Sequence, residues 1–185
     1  QMYQCHIQFY LMGQGRDLFD LIRRTPPLDR FSHAFSESAR PDAALCAGAD
    51  VIIADLRGLD GPRALGALLS SKREDAELIA AAGRDQLPGL ASLLPQVKDL
   101  WLDPAAEEIP FRFLRWQEGF RLGKELWERE QYLSATINSV PNLVWYKDKD
   151  GVHERVNDSF CHTVKKTREQ VQGQRHAYIW DVEQD

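Results

Sequence analysis

An aspartate at the end of an apolar run is the first residue of this chain whose position suggests chemistry. The run DVIIAD covers residues 50–55, and the residues that follow it, LRGLDGP, are typical of a turn. Buried parallel strands are continuous apolar runs, and open α/β sheets carry their functional groups just beyond the carboxyl ends of the strands. Asp55 is therefore a candidate functional carboxylate.

A second candidate site is the glycine-containing sequence YLMGQGRDLFDLI. Gly13 and Gly15 lie between a predicted strand and a predicted helix, as in the first part of a dinucleotide-binding fingerprint, where backbone amides hold a pyrophosphate. Glu37, just after the next predicted strand, would then contact a ribose hydroxyl. Leu18 stands where the third glycine of the fingerprint belongs, so a tight strand-to-helix turn is the alternative interpretation.

Short apolar runs alternate with helical segments along the first hundred residues. The strands are predicted at 5–12, 30–35, 50–55, 77–82 and 98–102, and the helices at about 16–24, 41–47, 62–72 and 86–94. Such alternation is typical of a parallel sheet with helices on both faces. Because the crossovers are right-handed, the predicted fold is a flavodoxin-like, doubly wound α/β domain with five strands in the order 2-1-3-4-5.

The stretch VIIADLRGLDG, in this order of elements, resembles the receiver domain of bacterial response regulators over about residues 5–120. It is similar to the third strand of that family and the loop after it, and Asp55 takes the place of the aspartate that the family phosphorylates. The resemblance implies that a magnesium ion, a hydroxyl group and a lysine ammonium surround this carboxylate, where they would stabilise the charge of the transferred phosphoryl group.

The chain differs from the receiver family at each of these positions. Gly13 and Gln14 replace the acidic pair after the first strand, Ala81 or Ala82 replaces the hydroxyl residue at the end of the fourth, and Asp103 replaces the lysine after the fifth. Without these groups the electrostatic stabilisation of phosphotransfer is lost. We therefore interpret Asp55 as a vestigial phosphoacceptor, whose carboxylate caps the next helix or binds loop amides.

The residues from Glu107 to Asn138 predict one long helix, because no strong helix breaker follows Pro110. Its first apolar residues have the spacing of a face that packs on the sheet: Ile109, Phe113, Trp116 and Phe120. A second seam of near-heptad spacing follows, with charged residues on its flanks: Leu122, Leu126, Leu133, Ile137 and Val140. This seam predicts a parallel homodimer through residues 107–140, and a monomeric helix that folds back on its own domain is the alternative.

Residues 134–185 resemble the first half of a PAS sensor domain. The resemblance rests on an ordered set of motifs: VPN, the aromatic strand NLVWYKD, the hairpin turn DKDG, and VNDSF at the start of a helix. Short helices are predicted at about 157–164 and 167–172. The resemblance implies that three further strands of the sheet are absent, which leaves an open edge that is poorly ordered, exchanged with a neighbour or packed on a partner chain.

Composition and charge argue against several classes of function. A formal net charge of −5 and scattered basic residues argue against direct nucleic-acid binding. No apolar run reaches the roughly 20 residues of a membrane span and no leader precedes the first strand, so the expected location is the cytoplasm, away from the membrane. The cysteines and C-terminal histidines lack metal-ligand spacing, so neither a metal nor a cofactor is predicted: Cys5, Cys46, Cys161, His153, His162 and His176.

The expected protein is a non-enzymatic regulatory fragment of a bacterial signal-transduction protein. Its predicted parts are a receiver-like domain at 1–106, a signalling and dimerisation helix at 107–140 and an incomplete PAS segment at 141–185. By resemblance, an output domain follows in the same polypeptide, and a diguanylate cyclase is favoured over a histidine kinase. Two alternatives stay open, a phosphorylatable receiver that uses Asp55 and a nucleotide-binding domain that uses Gly13 and Gly15.

Overall fold

The computed structural model describes residues 5–180. The chain divides into two compact units, at residues 1–120 and 121–185. The elements of the first unit are β1 (Cys5–Met12), α1 (Arg16–Arg24), β2 (Phe31–Ser38), α2 (Ala43–Gly48), β3 (Val51–Asp55), α3 (Gly61–Ser71), β4 (Glu77–Ala82), α4 (Leu87–Leu90) and β5 (Asp99–Leu102). The long helix α5 (Glu108–Asn138) begins in the first unit and ends in the second.

The first unit is an α/β fold with a five-stranded parallel sheet, and the predicted strand order is confirmed. The strands follow one another as β2-β1-β3-β4-β5. β1 and β4 have the predicted bounds. β2 extends to Ser38 instead of ending at residue 35, because it pairs with β1 along its whole length, from Cys5 with Phe31 to Met12 with Ser38.

The central strand β3 is packed on both of its faces. All five of its residues are buried, and alternate side chains enter two separate apolar clusters. Val51 and Ile53 belong to a cluster that contains residues of α1 and α5, whereas Ile52 and Ala54 belong to one that contains residues of α2 and α3. The strand is apolar at successive positions because helices cover both sides of a parallel sheet.

The first part of α5 packs on the sheet through the predicted residues. Ile109, Phe113 and Trp116 are buried, and Phe120 packs against the same cluster. The ring of Phe9 meets the rings of Phe113 and Trp116 edge-on, with the centroids 5.5 Å apart in each pair. Aromatic pairs favour this arrangement over face-to-face stacking. The predicted packing face of this helix is therefore confirmed.

α5 contains 31 residues, which is long enough for a membrane span. Charged residues recur along it, however, from Glu108 to Glu130. Within residues 5–180 no helix is at once long and apolar enough to cross a membrane.

The helix predicted at residues 86–94 is wrong in its extent. The structure has only the short α4, with 3₁₀ turns at residues 84–86 and 94–96 on either side of it. Pro88 is tolerated in the first turn of a helix, but Gly89 lowers the helix propensity and Pro95 cannot donate the hydrogen bond of a continuing helix. Leu90, an apolar residue of the predicted helix, is nevertheless buried in the core.

Up to residue 180, the second unit contains the last part of α5, a two-stranded antiparallel sheet and three short helices. These elements are β6 (Trp145–Lys147), β7 (His153–Val156), α6 (Asp158–Val164), α7 (Arg168–Val171) and α8 (His176–Trp180). The apolar core consists of Val156, Phe160, Val171 and Ile179. The predicted hairpin and the helices predicted at 157–164 and 167–172 are confirmed, whereas α8 has no counterpart among the predicted elements.

Asn157 connects the parts of the second unit through its side chain. This side chain is fully buried, and its amide nitrogen donates to three backbone carbonyls while its oxygen accepts from two backbone amides. The carbonyls are those of Ile137 at 3.0 Å, Val140 at 3.2 Å and Asn142 at 2.8 Å, and the amides are those of Val144 at 3.1 Å and Phe160 at 3.0 Å. One residue therefore ties the end of α5 to the hairpin and to the start of α6.

Replacing Asn157 by aspartate keeps the size and the acceptor of this side chain but removes its donor to three carbonyls. We expect Asn157→Asp to lower the free energy of unfolding of the second unit by at least about 2 kcal/mol, because unpaired buried carbonyls and a buried carboxylate are both costly. Hydrogen exchange of the amides at 143–171 measures this change.

Ser159→Ala is the control, because the Ser159 hydroxyl is exposed and lies 3.5 Å from the Val140 carbonyl. It should change the same free energy by less than about 0.5 kcal/mol. Equal protection in wild type and Asn157→Asp would show that the buried amide does not hold this unit together.

Candidate functional site

Asp55 is the last residue of β3 and lies at the carboxyl end of the parallel sheet. Its side chain is only 3% exposed. Ala81 of β4 is its partner in the strand register, and Gly13 comes directly after β1 on its other side. A carboxylate that is so well buried needs a compensating charge and hydrogen-bond donors to its oxygens.

Arg57 supplies both the charge and the donors. Its Nε donates to Oδ1 of Asp55 and its Nη2 donates to Oδ2, each at 2.8 Å. The backbone amide of Arg57 donates to Oδ1 at 3.1 Å. This is a bidentate pair of charge-assisted hydrogen bonds. The pKa of Arg57 is raised, first by its side-chain hydrogen bonds to Asp55 and also by the negative charges of Asp55 and Asp103. Partial burial of the guanidinium opposes this effect.

The role of Asp55 differs from the predicted helix cap. The cap of α3 is Asp60, whose side chain accepts from the amide of Arg63 at 3.3 Å. Asp55 binds a loop amide, that of Arg57, and its guanidinium in addition. The sequence does carry a signal for this pair, because Arg57 follows the strand-terminal Asp55 by two residues.

Two glycines approach Asp55 from the loop after β1. A Cβ atom on Gly15 would overlap Oδ2 of Asp55 and lie 2.9 Å from its Cγ. A Cβ atom on Gly13 would overlap the carbonyl oxygen of Asp55, and Gly13 also has a φ of +131°, which disfavours other residues. The carboxylate therefore lies directly against glycine backbone, with a guanidinium on its two oxygens.

The remaining predicted positions surround this pair in different ways. Gln14 is exposed, and Ala81 and Ala82 are fully buried. Asp103 has a φ of +40°, and its Oδ2 accepts from the amide of Arg84 at 3.2 Å. None of these residues adds a hydroxyl or a cation beside Asp55.

Within residues 5–180 no cluster of three or more histidine, cysteine or acidic residues is arranged to hold a metal ion.

Gln86 links the two loops at this end of the sheet. Its Nε2 donates to the carbonyls of Leu56 at 2.9 Å and Leu59 at 3.0 Å, and its Oε1 accepts from the amide of Gly83 at 3.1 Å. The loop that carries Arg57 is thereby joined to the loop after β4. No sequence signal marks this residue, because its partners Leu56 and Leu59 lie 30 and 27 positions away.

The residues of the predicted nucleotide site are engaged in other contacts. Glu37 forms an ion pair with Arg23, and Leu18 is buried in the core. The space next to Gly15 is occupied by the carboxylate of Asp55. Gly13 and Gly15 thus lie together as expected, but they pack on a side chain of their own chain.

The predicted dimer seam is exposed over part of its length. The exposed fractions of the side chains on the second part of α5 are 52% for Leu122, 67% for Leu126 and 39% for Leu133. Ile137 differs from the expectation, because it is buried at 6% within its own unit, and Val140 lies after the end of the helix. The apolar face open to a second helix is therefore Leu122, Leu126 and Leu133.

β6 is an exposed aromatic strand. The exposed fractions of Trp145 and Tyr146 are 45% and 52%, and all three residues of the strand are exposed. Within residues 5–180, β7 is the strand paired with β6. The second edge of β6 therefore has backbone groups available for another strand.

Comparisons with known proteins give a distant likeness of fold. No family model matches the chain, and no curated protein matches it. A putative CpaE2 pilus assembly protein from Sinorhizobium meliloti 1021 is 13% identical, with a TM-score of 0.46 over 59% of this chain and 95% of that one. A pilus assembly protein CpaE from Caulobacter crescentus CB15 is 12% identical, with a TM-score of 0.43 over 61% of this chain and 97% of that one. A likeness of this degree says nothing about activity.

Removing the Arg57 side chain should destabilise the first unit, because it leaves the buried Asp55 carboxylate without a compensating charge and with only the backbone amide of residue 57 as a donor. We expect Arg57→Ala to lower the free energy of unfolding by roughly 2–4 kcal/mol, somewhat less than for a fully buried pair, since 36% of the Arg57 side chain is exposed. Urea unfolding followed by tryptophan fluorescence measures the change.

Arg84→Ala is the matched control for this experiment. Arg84 also faces a carboxylate, that of Asp103 at 3.8 Å, but its side chain is 81% exposed. Its loss should cost less than about 0.5 kcal/mol. A similar small effect in both variants would mean that the Asp55–Arg57 pair contributes no more than a surface ion pair.

Proposed function

We propose that the chain is a regulatory fragment of a bacterial signalling protein, in which a receiver-like first unit works without phosphorylation. The observation that carries this proposal is the engagement of Asp55, whose two carboxylate oxygens are bound by Arg57 while its carboxyl group lies against Gly15. Regulation by this unit then depends on the surfaces that it presents, and not on a covalent modification.

Phosphotransfer to a carboxylate has two requirements that this arrangement opposes. The carboxylate must be free to attack phosphorus, and preorganised cations must lie where charge develops on the transferred oxygens. In this chain the guanidinium of Arg57 forms hydrogen bonds with both attacking atoms. Gly13 and Gln14 provide no carboxylate for a metal ion, and Asp103 adds negative charge where the reaction needs positive charge.

The second part of the proposal concerns how such a unit affects an output. We infer that α5 pairs with α5 of a second copy through Leu122, Leu126 and Leu133, which are exposed apolar residues at helical spacing. A change in the register or separation of paired helices can then pass to a PAS-like second unit and to an output domain in the same polypeptide. A diguanylate cyclase is the favoured output, and a histidine kinase is the next.

The exposed strand β6 supports the PAS-like assignment of the second unit. Trp145 and Tyr146 lie on a strand with one unoccupied edge among the described residues. Exposed aromatic side chains on an unpaired strand edge are a liability unless further strands cover them. We propose that the strands of a complete PAS sheet occupy this edge.

Two other functions compete with this proposal. The first is a phosphorylatable receiver that uses Asp55, and it requires Arg57 to leave the carboxylate. The second is a nucleotide-binding domain that uses Gly13 and Gly15, and it requires a pyrophosphate where the Asp55 carboxylate lies. The contacts of Asp55 favour the regulatory role over both.

Treatment with a small phosphoryl donor tests the role of Asp55 directly. We expect acetyl phosphate with magnesium to leave the mass of the protein unchanged, and beryllofluoride with magnesium to leave its melting temperature unchanged, because the nucleophile is paired with Arg57. Intact-protein mass spectrometry and a thermal shift measure these outcomes. Asp55→Asn is the control. A stoichiometric mass increase in wild type that disappears in this variant would establish a phosphorylatable receiver.

Dimerisation through α5 is tested by truncating two leucine side chains of the seam to alanine. We expect Leu126→Ala with Leu133→Ala to shift the fragment towards monomer, because each buried leucine of such an interface contributes roughly 2–5 kcal/mol relative to alanine. Sedimentation at micromolar concentration measures the shift. The first unit should stay folded, since neither residue belongs to its core.

Glu128→Ala, which removes a charged residue on the flank of the seam, is the control and should leave the dimer intact. A monomeric wild type would exclude this interface. A double variant that dimerises with unchanged affinity would exclude it as well.

A further inference from the structure

His153 is a buried histidine with one unpaired ring nitrogen. The residue has no exposed surface. Its Nδ1 lies 3.1 Å from the carbonyl oxygen of Gln174, and a carbonyl can only accept, so Nδ1 carries the proton and donates. Nε2 is buried without a hydrogen-bond partner. A second proton, on Nε2, would have no acceptor, so the fold favours the neutral imidazole.

His176 and Lys147 lie next to this ring. The imidazole of His176 is stacked on that of His153, with the centroids 6.0 Å apart and the planes at 12°. The ammonium of Lys147 is 3.3 Å from Nδ1 of His176. An ammonium can only donate, so this nitrogen of His176 is the acceptor in the contact.

The charged groups around His153 all oppose its protonation. Lys147 on β6 and His176 on α8 are the ionisable groups that act on the His153 ring, and among the described residues no carboxylate acts on it. On α6, which contributes the ring of Phe160 at 5.7 Å, the nearest acidic residue in sequence is Asp158, and Asp158 is paired with Arg168. An imidazolium at residue 153 would therefore be buried without an anion, and its Nε2–H would have no acceptor.

We propose that His153, with His176 and Lys147 beside it, forms an acid-sensitive latch, which holds residues 173–180 on β7 at neutral pH and releases them when the His153 imidazole is protonated. The segment is attached at this point through backbone contacts. The amide of His153 donates to the carbonyl of Gln174 at 2.9 Å, and the amide of Gly173 donates to the carbonyl of His153 at 2.9 Å. Val152 and Arg175 form an isolated antiparallel bridge beside them.

The direction of the pH dependence follows from the burial of His153. Burial first, and then the charges of Lys147 and His176, lower the pKa of His153 in the folded protein below 6.5, against the raising effect of its bond to Gln174. The open state therefore binds a proton that the closed state excludes. The latch is fully stable above about pH 6.5, and it weakens as the pH falls below that value.

Opening of the latch would change the surface of the second unit. The released segment carries Ile179, which belongs to the core of this unit, and Trp180, whose ring meets that of Phe160 at 5.9 Å. Their departure uncovers apolar surface beside Val156 and Phe160. The latch does not involve the first unit, so this inference does not depend on the proposed function of Asp55.

Hydrogen exchange of residues 173–180 at pH 7.5 and 5.5 tests the latch. After correction for intrinsic exchange rates, we expect the protection of these amides in wild type to fall roughly tenfold at pH 5.5, since each excluded proton contributes up to tenfold per pH unit below the unfolded pKa. In His153→Phe the protection should be the same at both pH values. Phenylalanine removes the titrating ring, while the Gln174 carbonyl keeps the backbone amide of residue 153 as its donor.

His162→Gln is the matched control, because His162 is exposed on α6, and it should behave as wild type. A direct titration of the His153 ring by nuclear magnetic resonance keeps the test decisive if His153→Phe fails to fold. A His153 pKa at or above 6.5 in wild type would overturn the proposal. A loss of protection at pH 5.5 that is equal in wild type and His153→Phe would overturn it too.

Discussion

The bidentate pair of Asp55 and Arg57 determines what the carboxyl end of the sheet can do. A carboxylate at the end of a buried strand is expensive to desolvate, and this chain meets the cost with a guanidinium from the following loop. The glycines after β1 let the backbone approach the same carboxyl group. Because Gln86 then joins the Arg57 loop to the loop after β4, the pair anchors a connected set of loops.

α5 uses its apolar residues in two different ways along one helix. In its first part, Ile109, Phe113 and Trp116 are buried on the sheet of the first unit. In its second part, Leu122 and Leu126 are more than half exposed. Leucines this exposed leave much of their apolar surface in water in a single chain, so a partner helix could bury it. The division along this helix is the physical basis for the proposed dimer.

Two buried polar side chains, those of Asn157 and His153, contribute to the fold of the second unit. Only the contribution of His153 depends on pH. Asn157 satisfies both its donor and its acceptor atoms with backbone groups, so it stabilises one conformation at any pH at which proteins are folded. His153 leaves Nε2 unpaired next to another imidazole and an ammonium, so its contribution depends on its protonation state. The apolar cluster of this unit has four buried residues within the part of the chain that the structure describes, so the loss of either polar contribution should affect its stability.

The sequence by itself determined the order of the strands and helices and the packing face of α5, because a run such as VIIAD has to be covered on both faces and because helical periodicity is local. It also located Asp55 at a strand end. Only the tertiary structure decided the state of that carboxylate, since an apolar strand followed by a turn is compatible with a free nucleophile and with a buried ion pair. Three other contacts join residues that are distant along the chain. They are the approach of Gly15 to Asp55, the hydrogen bonds from Asn157 to three carbonyls, and the contact of the buried His153 with Gln174. Contacts between distant residues leave no periodic pattern in the sequence, so they become visible only when the chain is folded.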